Sequence, residues 1–305
     1  MSEKMIWGAL LHLGCNMWND LKAEDCVRCD ENVWKDVTDR MAKKGYNLLM
    51  IDLGEGIEYP SHPELAVKGS WSVEKLCTEL KRLREIGLEP IPKLNFSTCH
   101  DAWLKEYGRM VSTPEYYKVC SDLIRDVCEL FGKPRFLHLG FDEENAWHQR
   151  TYPMTVIRQG ELWWHDLLFM VKETEKHDVR PWIWSDKCWG KNWEEYERRM
   201  PRSVLQSNWY YYREFAEPFP HNRGKCVHAY DLLDKAGFDQ VPTCSNWDND
   251  VNTELTVKYC REHVSAKRLK GFLTAPWKFT LPDMKDRIIR GINQLSEHIQ
   301  TNEAS

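Results

Sequence analysis

The sequence predicts an α/β protein of the (β/α)8 TIM barrel type, and three observations support this prediction. Eight short apolar runs alternate with eight segments of helical period along the 305 residues. The runs are almost continuously apolar, which is typical of parallel strands that are buried on both faces. The G-x-G-x-x-G that would follow the first strand of a doubly wound sheet is missing. We therefore expect one barrel over residues 1–305, without an accessory domain.

Each predicted strand is a short apolar run that is followed by a polar loop. Nearly all positions within a run are apolar, β-branched or aromatic, so a solvent-facing side is not expected. The eight runs, in chain order, cover residues 5–13, 46–53, 88–94, 135–141, 180–184, 203–208, 239–246 and 270–276.

The predicted helices begin at residues that cap helices well. The side chains of Asp30, Ser72 and Thr113 can each accept a hydrogen bond from the first turn of the helix that follows. Pro114 suits the first helical position after Thr113. Helices 30–44, 72–86 and 113–131 then end at glycines 45, 87 and 132. The remaining helices are predicted at 155–176, 193–200, 225–236 and 253–265, and after a capping box at 280–283.

The composition excludes several classes of protein. The hydrophobic fraction of 42% supports a packed core, and no stretch approaches the roughly 18 apolar residues of a membrane span. The net charge of -5 argues against nucleic acid as the main partner. The eleven cysteines are odd in number and irregularly spaced, and the first residues lack a signal-peptide pattern, so we expect a cytoplasmic protein. Cys26 and Cys29 are interpreted as loop thiols, with no metal and no cofactor.

The 15 tryptophans exceed what one core needs, and aromatic faces often line carbohydrate pockets. In a (β/α)8 barrel the active site lies at the C-terminal ends of the strands. Six of the eight predicted strand ends carry Trp or Tyr nearby. The tryptophans predicted on this face are Trp18, Trp184, Trp189, Trp209, Trp247 and Trp277. By contrast, Trp34, Trp163 and Trp164 fall in helices and are expected to pack.

The sharpest polar signal follows the fourth strand, where Asp142 and Glu143 are adjacent. Two carboxyls in one pocket raise the pKa of one of them, which then donates a proton at neutral pH while the other stays ionised. The alternative is that Asp142 caps a loop and Glu143 is solvated. The position at a barrel strand end favours the functional interpretation.

Other polar strand ends are less specific. His100 is either a ligand contact or a loop histidine, and both readings stay open. A solvated loop is favoured over substrate binding for Asp52, Glu55 and Glu58. The sequence contains no G-x-S-x-G serine-hydrolase elbow, and the first strand has no metal-binding His-x-His.

The segment from His138 to Glu143 meets the pattern H-x-G-x-D-E and resembles the catalytic domain of glycoside hydrolase family 20, the β-N-acetylhexosaminidases. Looser matches occur after four other strands. They are Asn95 to His100 before Trp103, Trp184 with Asp186, Trp209 with Tyr210, and Trp277.

The resemblance implies substrate-assisted retention, in which the acetamide of the sugar replaces an enzyme nucleophile. Glu143 is then the general acid and base, Asp142 orients the acetamide, and Tyr210 donates a hydrogen bond to it. Trp184, Trp209 and Trp277 wall the pocket. The further substrate-binding residues that it implies are Asn95, His100, His138 and Asp186.

Several positions depart from the family pattern. The arginine expected at the end of the first strand is missing, and the strand-three acids are Lys93 and Asn95. Tyr212 and Lys278 stand where acidic residues are expected. We therefore expect a divergent member that binds the outer sugar hydroxyls differently, so that its substrate is not ordinary terminal N-acetylglucosamine.

Two other functions stay open on the sequence alone. One is a glycosidase of different specificity, in which Asp186 or Glu55 acts with Glu143. The other is a carbohydrate-binding barrel without turnover. The adjacent acids at the fourth strand favour an enzyme. The oligomeric state is not determined by these patterns.

Overall fold

The predicted strands form one sheet of eight parallel strands with helices packed outside it, as seen in a computed structural model that describes residues 4–15, 23–190 and 192–303. The first and last strands pair, with Ile6 opposite Gly271. Bridges from Gln206 to Gln240 and from Trp209 to Thr243 close the ring between the sixth and seventh strands. The strands are β1 Ile6–His12, β2 Leu48–Asp52, β3 Glu89–Lys93, β4 Phe136–His138, β5 Arg180–Trp184, β6 Leu205–Ser207, β7 Thr243–Cys244 and β8 Gly271–Thr274. The predicted (β/α)8 barrel is confirmed.

One helix follows each strand along the chain, and the capping residues act as the sequence predicts. The Asp30 carboxylate accepts from the amides of Asn32 and Val33, and Ser72 and Thr113 cap the next two helices. These contacts satisfy amides that have no partner within the helix. The helices are α1 Glu31–Lys43, α2 Val73–Glu85, α3 Pro114–Leu130, α4 Gly160–Glu175, α5 Trp193–Arg199, α6 Gly224–Lys235, α7 Asn252–His263 and α8 Lys285–Glu303.

The core has two layers because side chains alternate along each strand. On β2, Leu48 and Met50 point into the barrel, whereas Leu49 and Ile51 pack against the surrounding helices. Trp182 and Trp184 from β5 fill the barrel interior. This continuous burial explains why the runs in the sequence are apolar at almost every position.

Two helix starts differ from the prediction. The segment before α4 is not helical, because Val156 exchanges hydrogen bonds with the side chain of Gln149 in the preceding loop. The predicted capping box at Thr280 is also wrong. Its hydroxyl donates to the carbonyl of His12 at 2.6 Å, which ties the chain to β1, and α8 begins at Lys285.

None of the helices within the described residues has the length and apolarity that crossing a bilayer requires.

Candidate active site

A cavity of about 620 Å³ lies at the C-terminal ends of the strands and has mostly aromatic walls. Five of the tryptophans predicted on this face are in or beside its lining, and Trp18 lies outside the described residues. The helical tryptophans Trp34, Trp163 and Trp164 are buried, as predicted. The aromatic lining consists of Trp147, Trp184, Trp189, Trp209, Tyr210, Tyr211, Tyr212, Trp247 and Trp277.

Asp142 lines this cavity and is held from the β3 side. Asn95 Nδ2 donates to Asp142 Oδ1 at 2.9 Å, and the Ser97 hydroxyl donates to the Asp142 carbonyl. The Asp142 side chain is only slightly exposed, with one oxygen so engaged. The carboxylate is therefore fixed in orientation before any ligand binds.

Glu143 lies beside Asp142 in the lining, between two histidines. The Nε2 atoms of His100 and His148 each lie 3.3 Å from one oxygen of its carboxylate. Burial alone would raise the pKa of Glu143, but the hydrogen bonds to the two histidines lower it to about 2. The expectation that crowding raises a pKa within the Asp142–Glu143 pair is therefore not met at Glu143 in the empty site.

The carboxyl with the raised pKa is Asp186, which follows β5. Its Oδ2 accepts from the backbone amide of Glu143 at 2.9 Å, and its buried Oδ1 has no partner among the described residues. The pKa of Asp186 is raised to about 8. Burial is the larger cause, and the negative charge of Asp142 is the second. Asp186 is outside the cavity lining. The structure therefore places it behind the Glu143 loop and not at the predicted position of a substrate ligand.

The backbone after β4 is held in an uncommon conformation. Gly140, Phe141 and Glu143 have φ angles of 77°, 70° and 57°. A Cβ atom at position 140 would overlap Oδ1 of Asn95, the residue that orients Asp142. The glycine of the H-x-G-x-D-E pattern is thus required both by its φ angle and by close packing.

His138 does not line the cavity, which corrects its prediction as a substrate contact. It is fully buried in the barrel, and its Nδ1 accepts from the amide of Gly140 at 3.1 Å. Its ring centroid lies 4.3 Å from that of Trp184, in the cavity wall. Burial lowers the pKa of His138 well below its ordinary value, so the ring is neutral. From inside the barrel, His138 thus supports the loop after β4 through Gly140 and packs against the ring of Trp184.

The neighbouring tyrosines after β6 have different surroundings. Burial raises the pKa of Tyr211 well above its ordinary value, and the charges of Asp142 and Glu143 add to this shift. Its ring stacks on Trp209 at 5.0 Å between centroids. The charges that act on Tyr210 are those of a different set of residues on the β6–α6 loop. Tyr211 is thus the tyrosine near the carboxyl pair.

Asn95, Trp184, Trp209 and Trp277 all contribute to the cavity as predicted by their position after strands. The ring centroids of Trp184 and Trp277 lie 5.8 Å apart, and the two rings together form one wall of the cavity. His148 and Trp147, in the loop after β4, were missed because that loop has no periodic pattern that would indicate which side chains face inward.

The acids after β2 divide between buried and exposed positions. Asp52 and Glu55 are buried, which contradicts the solvated-loop interpretation, whereas Glu58 is exposed. Glu55 Oε1 accepts from the amide of Cys15 at 2.7 Å. Neither Asp52 nor Glu55 lines the cavity, so neither contacts a ligand there.

Metal binding has one candidate set among the described residues. The ligand atoms of His100, Asp142 and Glu143 all lie within 4.8 Å of one another. The imidazole already contacts both carboxylates directly, at 3.3 and 3.4 Å. Cys26 and Cys29 carry free thiols, and burial raises the pKa of Cys29 to about 12, so it is not a thiolate at neutral pH.

Neither a protein-family model nor a curated protein matches the chain. Solved structures do. The β-N-acetylhexosaminidase from Bacteroides fragilis has a TM-score of 0.68 and 15% identity, over 96% of this chain and 65% of that chain. The family 20 exo-β-N-acetylglucosaminidase from Vibrio harveyi, solved with N-acetylglucosamine, has a TM-score of 0.69 and 15% identity, over 96% and 54%. The family 20 enzyme from Streptomyces coelicolor has a TM-score of 0.65 and 13% identity, over 96% and 65%.

These similarities concern the fold, because the identities are 13–15%. The chain spans 54–65% of the length of these three proteins. The predicted resemblance is confirmed: the barrel of this chain is similar to that of glycoside hydrolase family 20.

Proposed function

We propose that the protein is a retaining glycosidase that removes terminal 2-acetamido sugars by substrate assistance. The observation that carries this proposal is the pair Asp142 and Glu143 in a tryptophan-lined cavity. Among the described residues these are the two carboxylates in its lining. Asp186 and Glu55, the other acids considered, both lie outside it, which disfavours a mechanism with a separate enzyme nucleophile.

In the first step the acetamide oxygen of the sugar attacks the anomeric carbon while the bond to the leaving oxygen breaks. Glu143 gives that oxygen a proton. Because the empty site favours ionised Glu143, a proton is relayed to it through the ring of His100 or His148, whose Nε2 atoms each lie 3.3 Å from its carboxylate. The Asp142 carboxylate accepts a hydrogen bond from the acetamide N–H and stabilises the positive charge of the oxazolinium.

In the second step water attacks the anomeric carbon, Glu143 takes up its proton, and the acetamide is restored. Tyr211 is the phenol that we assign to the acetamide oxygen, in place of Tyr210. Trp184 and Trp277 cover the apolar sugar faces and exclude water.

Activity on aryl glycosides with and without a 2-acetamido group tests this proposal. We expect cleavage of 2-acetamido substrates only, and a loss in kcat of about 10²–10⁴ for Glu143→Gln. The loss should shrink with a 2,4-dinitrophenyl leaving group, which needs little acid assistance. Glu58→Gln, an exposed acid after β2, is the matched control and should retain full activity.

Cleavage of glycosides that lack the acetamide would rule out substrate assistance. Sugar binding without turnover of any glycoside would instead identify a carbohydrate-binding barrel.

A further inference from the structure

One part of the cavity, beside β6 and α6, has no role in the chemistry proposed above. Tyr210, Arg223 and Cys226 line it. Among the described lining residues, Arg223 is the one Lys or Arg. The acidic pair after β4 and this cation after β6 therefore give a single cavity two regions of opposite charge.

The Arg223 guanidinium is positioned by an aromatic ring. Its central carbon lies 3.4 Å from the ring centroid of Tyr212. Stacking of this kind fixes the plane of the group and leaves its N–H edges available for bidentate contacts. Within the described part of the chain, no carboxylate forms an ion pair with Arg223.

The Tyr210 hydroxyl is a second, independent sign of a ligand. The residue is only 2% exposed, yet its hydroxyl has no hydrogen-bond partner among the described residues. Burial raises the pKa of Tyr210 to about 12; the charge of Glu214 adds to this shift and that of Arg223 opposes it, so the group remains a donor. Glu214 itself does not line the cavity. Buried hydroxyls are normally paired, so a ligand atom is the expected partner.

Helix α6 adds positive potential at the same place. It begins at Gly224, directly after Arg223, and no described side chain caps it. Arg223 and Cys226, at this end of the helix, both line the cavity. The N-terminal end of a helix carries partial positive charge and favours anions.

We propose that this region binds an anionic group carried by the carbohydrate ligand: a carboxylate, a sulfate ester or a phosphate ester. The inference deepens the proposed function and relies on it for the carbohydrate nature of the ligand. Arg223 makes the bidentate contact with the oxyanion, and Tyr210 donates a further hydrogen bond. A specificity for anionic sugars is consistent with the missing arginine after β1, because the polar contacts to the sugar would then come from residues after β6 instead.

Calorimetric titration of the full chain tests this directly. The probes are N-acetylglucosamine, its 6-sulfate, its 6-phosphate, and the disaccharide of N-acetylglucosamine β-linked to glucuronic acid. The 6-sulfate and the 6-phosphate carry the charge on the terminal sugar, whereas the disaccharide carries it on the neighbouring sugar. We expect at least one anionic probe to bind about tenfold or more tightly than N-acetylglucosamine at low salt. Arg223→Gln should abolish that preference and Arg223→Lys should restore part of it, while Arg213→Gln, an exposed arginine of the same loop, should leave it unchanged.

Three results would overturn the proposal: no anionic probe preferred by more than about twofold, a preference that survives Arg223→Gln, or equal weakening of neutral and anionic probes in that variant. Retained binding of N-acetylglucosamine shows that the Arg223→Gln protein is folded. The disaccharide would be a substrate of the proposed reaction, so it is titrated into the Glu143→Gln variant, with and without Arg223→Gln, to measure its binding without turnover. Arg223-dependent anion binding without hydrolysis by the wild type contradicts only the glycosidase proposal. Hydrolysis without anion preference contradicts only the present inference.

Discussion

At the scale of single residues, the groups that surround two neighbouring buried acids give them opposite protonation states. Glu143 has histidines on both sides, and its pKa is lowered to about 2. Asp186 contacts the same loop through a backbone amide, which carries no full charge, and its pKa is raised to about 8. Adjacent acids in the sequence suggested that one of the pair would hold a proton. The structure moves that property to a residue that lies 43 positions away from Glu143.

The raised pKa of Asp186 predicts how stability changes with pH. Its ordinary pKa is 3.8, so the folded state holds the proton more tightly than the unfolded chain does. Its contribution to stability is therefore complete below about pH 4 and is lost as pH rises through about 8. Asp186→Asn removes this dependence while keeping an acceptor for the Glu143 amide. The unfolding temperature of the variant should fall less between pH 5 and pH 9 than that of the wild type, by roughly 2–6 °C.

Asp283→Asn, at an exposed position, is the control and should follow the wild-type curve. Parallel curves for wild type and Asp186→Asn would mean that Asp186 is already ionised at pH 5.

At the scale of secondary-structure elements, the strands and capped helices could be predicted from the sequence because their causes are local. Continuous apolar runs give strands buried on both faces, and Asp30, Ser72 and Thr113 cap helices through their own side chains. The failures have distant causes. Thr280 bonds to the carbonyl of His12, 268 positions away, and no local pattern reveals such a partner.

The candidate site follows the same division. Strand-end positions identified Asn95, Asp142 and Glu143, because the barrel brings all strand ends to one face. Which of Tyr210 and Tyr211 faces the carboxyl pair depends on the course of the loop, which the sequence does not encode locally. His148 was missed for the same reason.

The loop after β4 yields a prediction for Gly140. Gly140→Ala adds a Cβ at φ 77° that overlaps Asn95 Oδ1, so it should displace Asn95 and with it Asp142. We expect a loss of about 2–4 kcal/mol in stability and a large drop in kcat. Gly87→Ala is the matched control, because its φ is 87° and no heavy atom lies within 4 Å. It should cost about 1–2 kcal/mol and leave kcat unchanged. Equal effects of both variants on stability and activity would refute the steric argument.

At the scale of the whole molecule, the barrel face is built asymmetrically. The aromatic cavity is lined by residues that follow β3 to β8. At the ends of β1, β2 and β3, by contrast, His12, Asp52 and Lys93 form a buried ionic cluster. Lys93 Nζ lies 2.6 Å from Asp52 Oδ2, and His12 Nδ1 lies 3.3 Å from the same oxygen. Three neighbouring strand ends are thus joined by one buried polar cluster, in which Lys93 is a position where the sequence departs from the family pattern.

This cluster predicts opposite outcomes for single and paired substitutions. Lys93→Met leaves the buried Asp52 carboxylate without its main counter-charge and should cost about 3–5 kcal/mol of stability. Lys93 and Asp52 are 0% and 1% exposed, so solvent cannot compensate. Replacing both, as Asp52→Leu with Lys93→Met, removes the two charges together and should recover most of the loss. His12 tolerates the change as a neutral ring, since burial lowers its pKa despite the attraction of Asp52.

Urea unfolding followed by tryptophan fluorescence measures all three proteins on one scale. The defect of Lys93→Met should be larger at pH 8 than at pH 5, because protonation of Asp52 relieves the uncompensated charge as the pH falls. A single substitution that costs less than about 1 kcal/mol at pH 8, or a double variant less stable than the single one, would show that the pair is not an electrostatic unit. In that case the three strand ends would be held by packing and by the backbone pairing of β1, β2 and β3.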